Sequence, residues 1–137
     1  MIYLFLLGRA LLGGYFIMSG YAHFKNLQSY SGYAQSKGVP MPKLAVVVTG
    51  LLLAGGGIGI LLGVWIECAV LLLSLFLIFV TFKMHAYWTI ADPMQRMGER
   101  VNFYKNLALL GAVIMLLFIP EPWEFSFWSW LFSSWLG

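Results

Sequence analysis

Residues 43–89 read KLAVVVTGLLLAGGGIGILLGVWIECAVLLLSLFLIFVTFKMHAYWT, and between Lys43 and Lys83 the only charge is Glu67. Each crossing of ~30 Å of hydrocarbon needs about 20 apolar residues, so this run is long enough for two membrane-spanning helices. The few residues around Glu67 leave space for only a tight reversal, which predicts an antiparallel hairpin with spans at about 43–64 and 68–89. In the first of these Gly55, Gly59 and Gly63 recur at every fourth position, thickened by Gly56 and Gly57. Lipid gives helices no hydrophobic reward for associating, so small residues at this spacing predict a face on which another backbone packs closely.

Two further spans follow outward from the hairpin. The first, at about 2–24, contains Arg9 and ends in Ser19, Gly20 and His23. It starts at Met1 with no basic region and no small-residue cleavage site near Ala22, and is read as a retained span, not a signal peptide. The last, at about 102–119, is stopped by Pro120 and Pro122. Residues 25–42 mix Asn26, Gln28 and Lys37 with Leu27, Tyr30 and Tyr33, which predicts a short amphipathic helix on the membrane surface and then a turn. In 91–98, Asp92 suits an N-cap, Pro93 a first helical position and Gly98 a stop, which predicts a second short helix. In the tail, 123–137, Trp128, Leu131, Phe132 and Trp135 share one helical face and Ser126, Ser129 and Ser133 another, as expected at the headgroup level.

The expected fold is therefore one all-α membrane domain over 1–137: a four-transmembrane-helix bundle with an interfacial helix after span one and an amphipathic, Trp-rich tail. The composition agrees, with 61% hydrophobic and 9% charged residues and a mean hydropathy of +0.86. No separate soluble catalytic domain fits. The net charge of +3 comes from charges at the ends of apolar runs, which points to anionic lipid headgroups and not to nucleic acid. Cys68 is the single cysteine, so there is no internal disulfide and no CxxC pair. Lys25, Lys37 and Lys43 flank the first loop and Arg96, Arg100 and Lys105 the third. The positive-inside rule thus places 25–42 and 91–101 in the cytoplasm and both termini outside.

Antiparallel spans bring His23, Lys25, Lys83, His85, Tyr87, Trp88, Asp92, Asn102, Lys105 and Asn106 to one membrane surface. Lysines and aromatics there snorkel or form the interfacial belt in most membrane proteins. His85, Lys105 and Asn106 on neighbouring helices form a candidate ligand site, with His23, Lys25, Asn102 and Trp88 around them. Histidine, lysine and asparagine as hydrogen-bond donors, with Trp88 and Phe103 as aromatic walls, fit a quinone headgroup, and a lipid phosphate almost as well. Arg9 stands a third of the way along span one, where it either snorkels outward past Tyr3 or turns inward to backbone carbonyls, a polar ligand or Glu67. The sequence offers no metal or haem motif, catalytic triad or phosphate loop.

Several of these residues together resemble the DoxX family. They are Arg9 with Ser19-Gly20 and Phe24-Lys25, the glycine-rich span ending in Gly63, His85-Ala86-Tyr87-Trp88, and Asn102-Phe103-Tyr104-Lys105-Asn106-Leu107-Ala108-Leu109-Leu110-Gly111. The resemblance implies a four-helix membrane protein linked to quinone-dependent redox or oxidative-stress systems, as a subunit beside other membrane or redox proteins or as a homo-oligomer. The family commonly carries a glutamate in span two before the paired glycines, whereas here residues 50–56 read GLLLAGG. The expected function is thus a quinone-binding membrane subunit without a redox centre of its own. The alternatives are a scaffold that docks through the glycine face and, less favoured, a small-solute transporter.

Overall fold

The computed structural model describes residues 1–127 and 129–131. Five α-helices make up most of it: α1 (Ile2–Lys25), α2 (Leu27–Ser36), α3 (Pro42–Leu62), α4 (Ile66–Met84) and α5 (Pro93–Met115), with single 3-10 turns at Tyr87–Thr89 and Leu116–Phe118. Four of the helices are long and apolar enough to cross a membrane. The 21 residues of α3 rise about 30 Å, the thickness of the hydrocarbon. Leu4, Leu11, Met18, Leu51, Leu71 and Leu75 all point outward. So much outward-facing apolar surface suits lipid and is untenable in water.

The turn between α3 and α4 is even shorter than Glu67 suggested. Only residues 63–65 separate the helices, and Glu67 lies in the first turn of α4, where its charge complements the helix dipole. Gly63 is left-handed at φ 68°, and the amide of Val64 donates back to the Gly59 carbonyl at 3.0 Å, the bond that closes a Schellman cap.

α1 packs closely on α3, α3 on α4, and α4 on α5, whereas α1 and α5 are not packed together. Of the predicted triplet only Gly59 is among the glycines that allow this, joined by Gly56 and Gly57 of the same run and by Gly50. At Gly57 an added Cβ would lie 2.8 Å from the Gly13 carbonyl oxygen, and at Gly20 one would lie 2.8 Å from the Gly50 carbonyl oxygen. Gly13 and Gly20 of α1 therefore meet Gly57 and Gly50 of α3 backbone to backbone. Gly56 and Gly59 serve the other interface, where Leu73 and Ala69 of α4 approach them. Of the predicted face, Gly59 packs on α4, Gly63 is the helix cap, and Gly55 has only the end of the Leu72 side chain within reach. The core between these helices holds Phe16, Leu53, Ile60, Leu73, Leu77 and Val113.

Two predicted boundaries are corrected. Gly98 does not stop a helix: α5 runs unbroken from Pro93, so 93–101 is the first part of the same helix that supplies the last span. Its start is as expected, since Asp92 Oδ2 accepts from the Gln95 amide at 2.7 Å and Pro93 opens the helix. The start of the tail does not lie on the surface of the bundle either. Trp123 and Ser126 are buried, the former in the core with its ring 5.2 Å from Phe5. Trp128, Phe132, Ser133 and Trp135 lie outside the described residues.

Arg9 turns inward. Its Nε and Nη2 donate to the Ile60 and Leu61 carbonyls at 3.3 and 2.8 Å, and Nη1 donates to the Glu124 carbonyl at 2.9 Å. The guanidinium also lies within 6 Å of the Phe5 and Trp123 rings. Arg9 and Glu67 form no ion pair among the described residues. A cation here complements the carbonyl end of α3: it satisfies Leu61 and adds a second donor to Ile60, which already accepts from the Gly63 amide at 3.3 Å.

Two sets of variants test this packing by thermal unfolding in detergent. Gly57→Ala is expected to destabilise by about 1–3 kcal/mol through overpacking against rigid backbone, and Gly55→Ala to be close to neutral. Arg9→Lys is expected to cost about 1–3 kcal/mol despite keeping the charge, because an ammonium lacks the planar fork that reaches three carbonyls.

Candidate functional site

A cavity of about 560 Å³ opens where α1 and α5 fail to meet. Phe16, Ser19, Ala22 and His23 of α1 form one wall and Phe76, Leu77, Val80 and Met84 of α4 the other. Val46, Thr49 and Leu53 of α3 lie at the back, α2 covers one end with Tyr30, Tyr33 and Ala34, and α5 adds Lys105 and Asn106. The position of α2 is fixed by apolar burial, since Ala34, Val39, Val46 and Met84 form a small second core beneath it. The volume lies within the ~300–1,000 Å³ of ordinary small-molecule sites, and a mostly apolar wall with a few converging polar groups is their usual make-up.

Four of the predicted site residues come together here: His23, His85, Lys105 and Asn106. Asn106 is the most telling. It is 5% exposed and its amide has no hydrogen-bond partner among the described residues, yet neither amide atom is sealed off, which leaves it available to whatever fills the cavity. Lys105 is exposed and donates to Asn102 Oδ1 at 3.2 Å, so Asn102 acts on the site only through Lys105.

The other predicted members lie elsewhere. Trp88 is exposed and packs edge-on against Tyr87 and Phe103, away from the cavity, and Phe103 is enclosed by Phe82, Tyr87 and Trp88. The aromatic walls come instead from Phe16, Phe76, Tyr15 and Tyr30. Lys25 is exposed, over the Tyr21 ring. Arg9 belongs to the opposite end of the bundle and is occupied by backbone.

Sequence reasoning missed Glu99. It is buried on α5, where its Oε1 accepts from the Tyr33 hydroxyl at 2.6 Å and its Oε2 accepts from His85 Nδ1 at 2.5 Å, with Lys37 Nζ at 3.8 Å. Glu99 does not itself line the cavity. It stands behind Tyr33 and His85, which do, and ties α2, α5 and the segment after α4 together. Burial, the hydrogen bond to Glu99 and the charge of Glu99 push the Tyr33 phenol above its ordinary value, so it stays a donor throughout the physiological range. Lys83 adds a second cation nearby, its Nζ 3.7 Å from where a Cβ on Gly38 would be. The missed signal was spacing: Glu99, Phe103, Asn106 and Val113 form one buried stripe once α5 is read as continuous.

Among the described residues no group of three or more His, Cys, Asp or Glu side chains is placed to hold a metal ion.

Comparison with known proteins gives two matches. The DoxX family model matches residues 4–86. The chain is also similar to the inner membrane protein YphA of Escherichia coli (strain K12), with 26% identity over 101 residues, 74% of this chain and 71% of that protein. No solved structure matches.

Replacing Glu99 with Leu leaves a phenol and an imidazole without their acceptor. Glu99→Leu is expected to destabilise by about 2–4 kcal/mol, and Tyr33→Phe, which removes donor and hydroxyl together, by no more than about 1.5 kcal/mol, both read from thermal unfolding in the same detergent.

Proposed function

Because the chain belongs to the DoxX family, we propose that it is a multi-pass inner-membrane subunit of a quinone-linked redox or oxidative-stress system, and that its cavity takes a quinone-type headgroup. The observation that carries this reading is the unpartnered, buried Asn106 amide facing an apolar cavity beside His23, His85 and Lys105. The polar groups cluster toward the end covered by α2, and the exposed Tyr15 and Met18 of α1 and Phe79 of α4 at the cavity's edge give an apolar tail a way out into lipid. A flat ring with polar substituents and a long hydrocarbon tail matches that division. Asn106 and Lys105 would hold ring oxygens, with Phe76 and Tyr30 against the ring.

The inner-membrane location draws on the name of the Escherichia coli relative. The orientation, with 25–42 and 91–101 in the cytoplasm, rests on Lys25, Lys37, Lys43, Lys83, Arg96, Arg100 and Lys105 all belonging to one end of the bundle. Arg9 does not count against it, since a guanidinium spent on internal carbonyls is not a loop charge.

No redox centre is assigned to the chain itself, so electrons would pass through a partner protein. The scaffold alternative keeps only part of its docking face, since Gly59 packs on α4 and Gly63 lies under Arg9, whereas Gly55 is exposed.

Mass analysis of small molecules extracted from gently purified protein tests the reading. Wild type is expected to retain a quinone-type ring, in its oxidised or reduced form, and His85→Ala and Asn106→Ala each to lose about tenfold or more of the total, the equivalent of one buried hydrogen bond. Ordinary phospholipid alone in the wild type, or retention that ignores both substitutions, would overturn it.

A further inference from the structure

Two histidines line the cavity, and each has one ring nitrogen already committed. His23 Nδ1 is 2.7 Å from the Ser19 carbonyl oxygen, which can only accept, so Nδ1 carries the proton. His85 Nδ1 faces Glu99 Oε2, a carboxylate oxygen whose companion already receives the Tyr33 hydroxyl, so Nδ1 carries the proton there too. In a neutral imidazole the second nitrogen is then bare. Neither Nε2 has a partner among the described residues and neither is sealed from access. The site therefore offers two bare nitrogens, where residue types alone suggested two donors.

Resting on the quinone reading above, we propose that the cavity selects the hydroxyl-bearing, reduced form of the ring, a hydroquinone, over the carbonyl-bearing oxidised form, with the Nε2 atoms of His23 and His85 as acceptors. A quinone oxygen has no proton to give and would face the nitrogen lone pairs, which costs the site its hydrogen bonds. A hydroquinone donates to either nitrogen, and its oxygens still accept from the Asn106 amide and Lys105. A site built to pair a substrate hydroxyl discriminates strongly against an analogue that lacks it, because its own buried polar groups are otherwise left unpaired. His23 holds its proton arrangement through the carbonyl of its own helix. Glu99 is a positioning residue: it touches no ligand and fixes which nitrogen of His85 is bare. Aromatic contacts brace the His23 ring, with Tyr30 at 5.0 Å and Phe76 at 5.9 Å, both edge-on.

By linkage, about tenfold tighter binding of the reduced form raises the potential of the bound two-electron couple by about 30 mV. The protein would act as a trap for the reduced ring.

The test uses the full chain in phosphatidylcholine nanodiscs, whose lipid has no free hydroxyl to compete. A decyl-substituted benzoquinone and its anaerobically reduced hydroquinone serve as paired probes. The hydroquinone is expected to bind about tenfold tighter at neutral pH, the value of one well-made hydrogen bond. In Glu99→Gln the amide can donate to His85 Nδ1 and moves its proton to Nε2, so the preference should shrink at least severalfold while the hydroquinone weakens more than the quinone. Nitrogen-15 spectra of histidine-labelled protein without any probe give a second readout, with bare Nε2 expected on both rings and on His23 alone in Glu99→Gln. Equal binding of the two forms, or a proton on both Nε2 atoms in the wild type, overturns this proposal and leaves the quinone reading standing. Binding of neither form overturns both.

Discussion

The bundle depends on how the end of α3 is satisfied. A helix terminus leaves its last carbonyls without helical partners, and in a membrane protein no bulk water is assured to take them. Here the turn from Gly63 to Trp65 reverses the chain within three residues, the Gly63 and Val64 amides cap Ile60 and Gly59, and Arg9 from a neighbouring helix donates to Leu61 and adds a second donor to Ile60. The third arm of the guanidinium reaches the Glu124 carbonyl, so one side chain joins α1, α3 and the segment beyond α5. Among the described residues the charge has no carboxylate partner. It is held by backbone dipoles and by the faces of Phe5 and Trp123, which also explains why Trp123 lies in the core and not with the tail.

This arrangement has a consequence at the far end of the bundle. α1 is bound to α3 by Arg9 at one end and by the Gly13–Gly57 and Gly20–Gly50 contacts along its length. Backbone-to-backbone contact leaves little freedom to lean elsewhere. α5 is committed in turn to α4, and the two outer helices diverge where α2 crosses over them. The cavity is the space left by that divergence. Its position thus follows from the packing that stabilises the fold, and its polar residues sit where the helices end and water is closest.

The spans were legible because hydropathy is a local property, and the hairpin, the amphipathic α2 and the Asp92-Pro93 helix start were all read correctly from composition and caps. What needed a partner was not legible. The spacing of Gly55, Gly59 and Gly63 is a true small-residue repeat, but the contact with α1 uses Gly50 and Gly57, seven apart, matched to Gly13 and Gly20, also seven apart. Only the paired helices reveal which phase of a glycine-rich segment faces which neighbour. Glu99 was lost for a different reason: Gly98 imitates a helix stop, which moved Glu99 into a loop and off the stripe it shares with Asn106. The inward turn of Arg9 was one of two readings the sequence allowed, and the carbonyls that decide it lie some fifty residues and more away.

The missing acid of span two takes on a clearer meaning in this geometry. Residues 50–56 contribute Leu53 to the cavity wall, set Gly50 against α1 and Gly56 against α4, and turn Leu51 outward, so this segment gives the cavity only hydrocarbon. The carboxylate at this end of the bundle comes instead from α5, behind Tyr33 and His85 and beside Lys37. A carboxylate exposed deep in the wall would demand a proton or a cation in hydrocarbon. One placed behind a histidine keeps its charge near the surface cations and acts on the cavity through the proton it holds on the imidazole. This chain thus keeps its ionisable groups at one end of the cavity and hydrocarbon walls in the rest, an arrangement that favours a ligand polar at its head and apolar along its length.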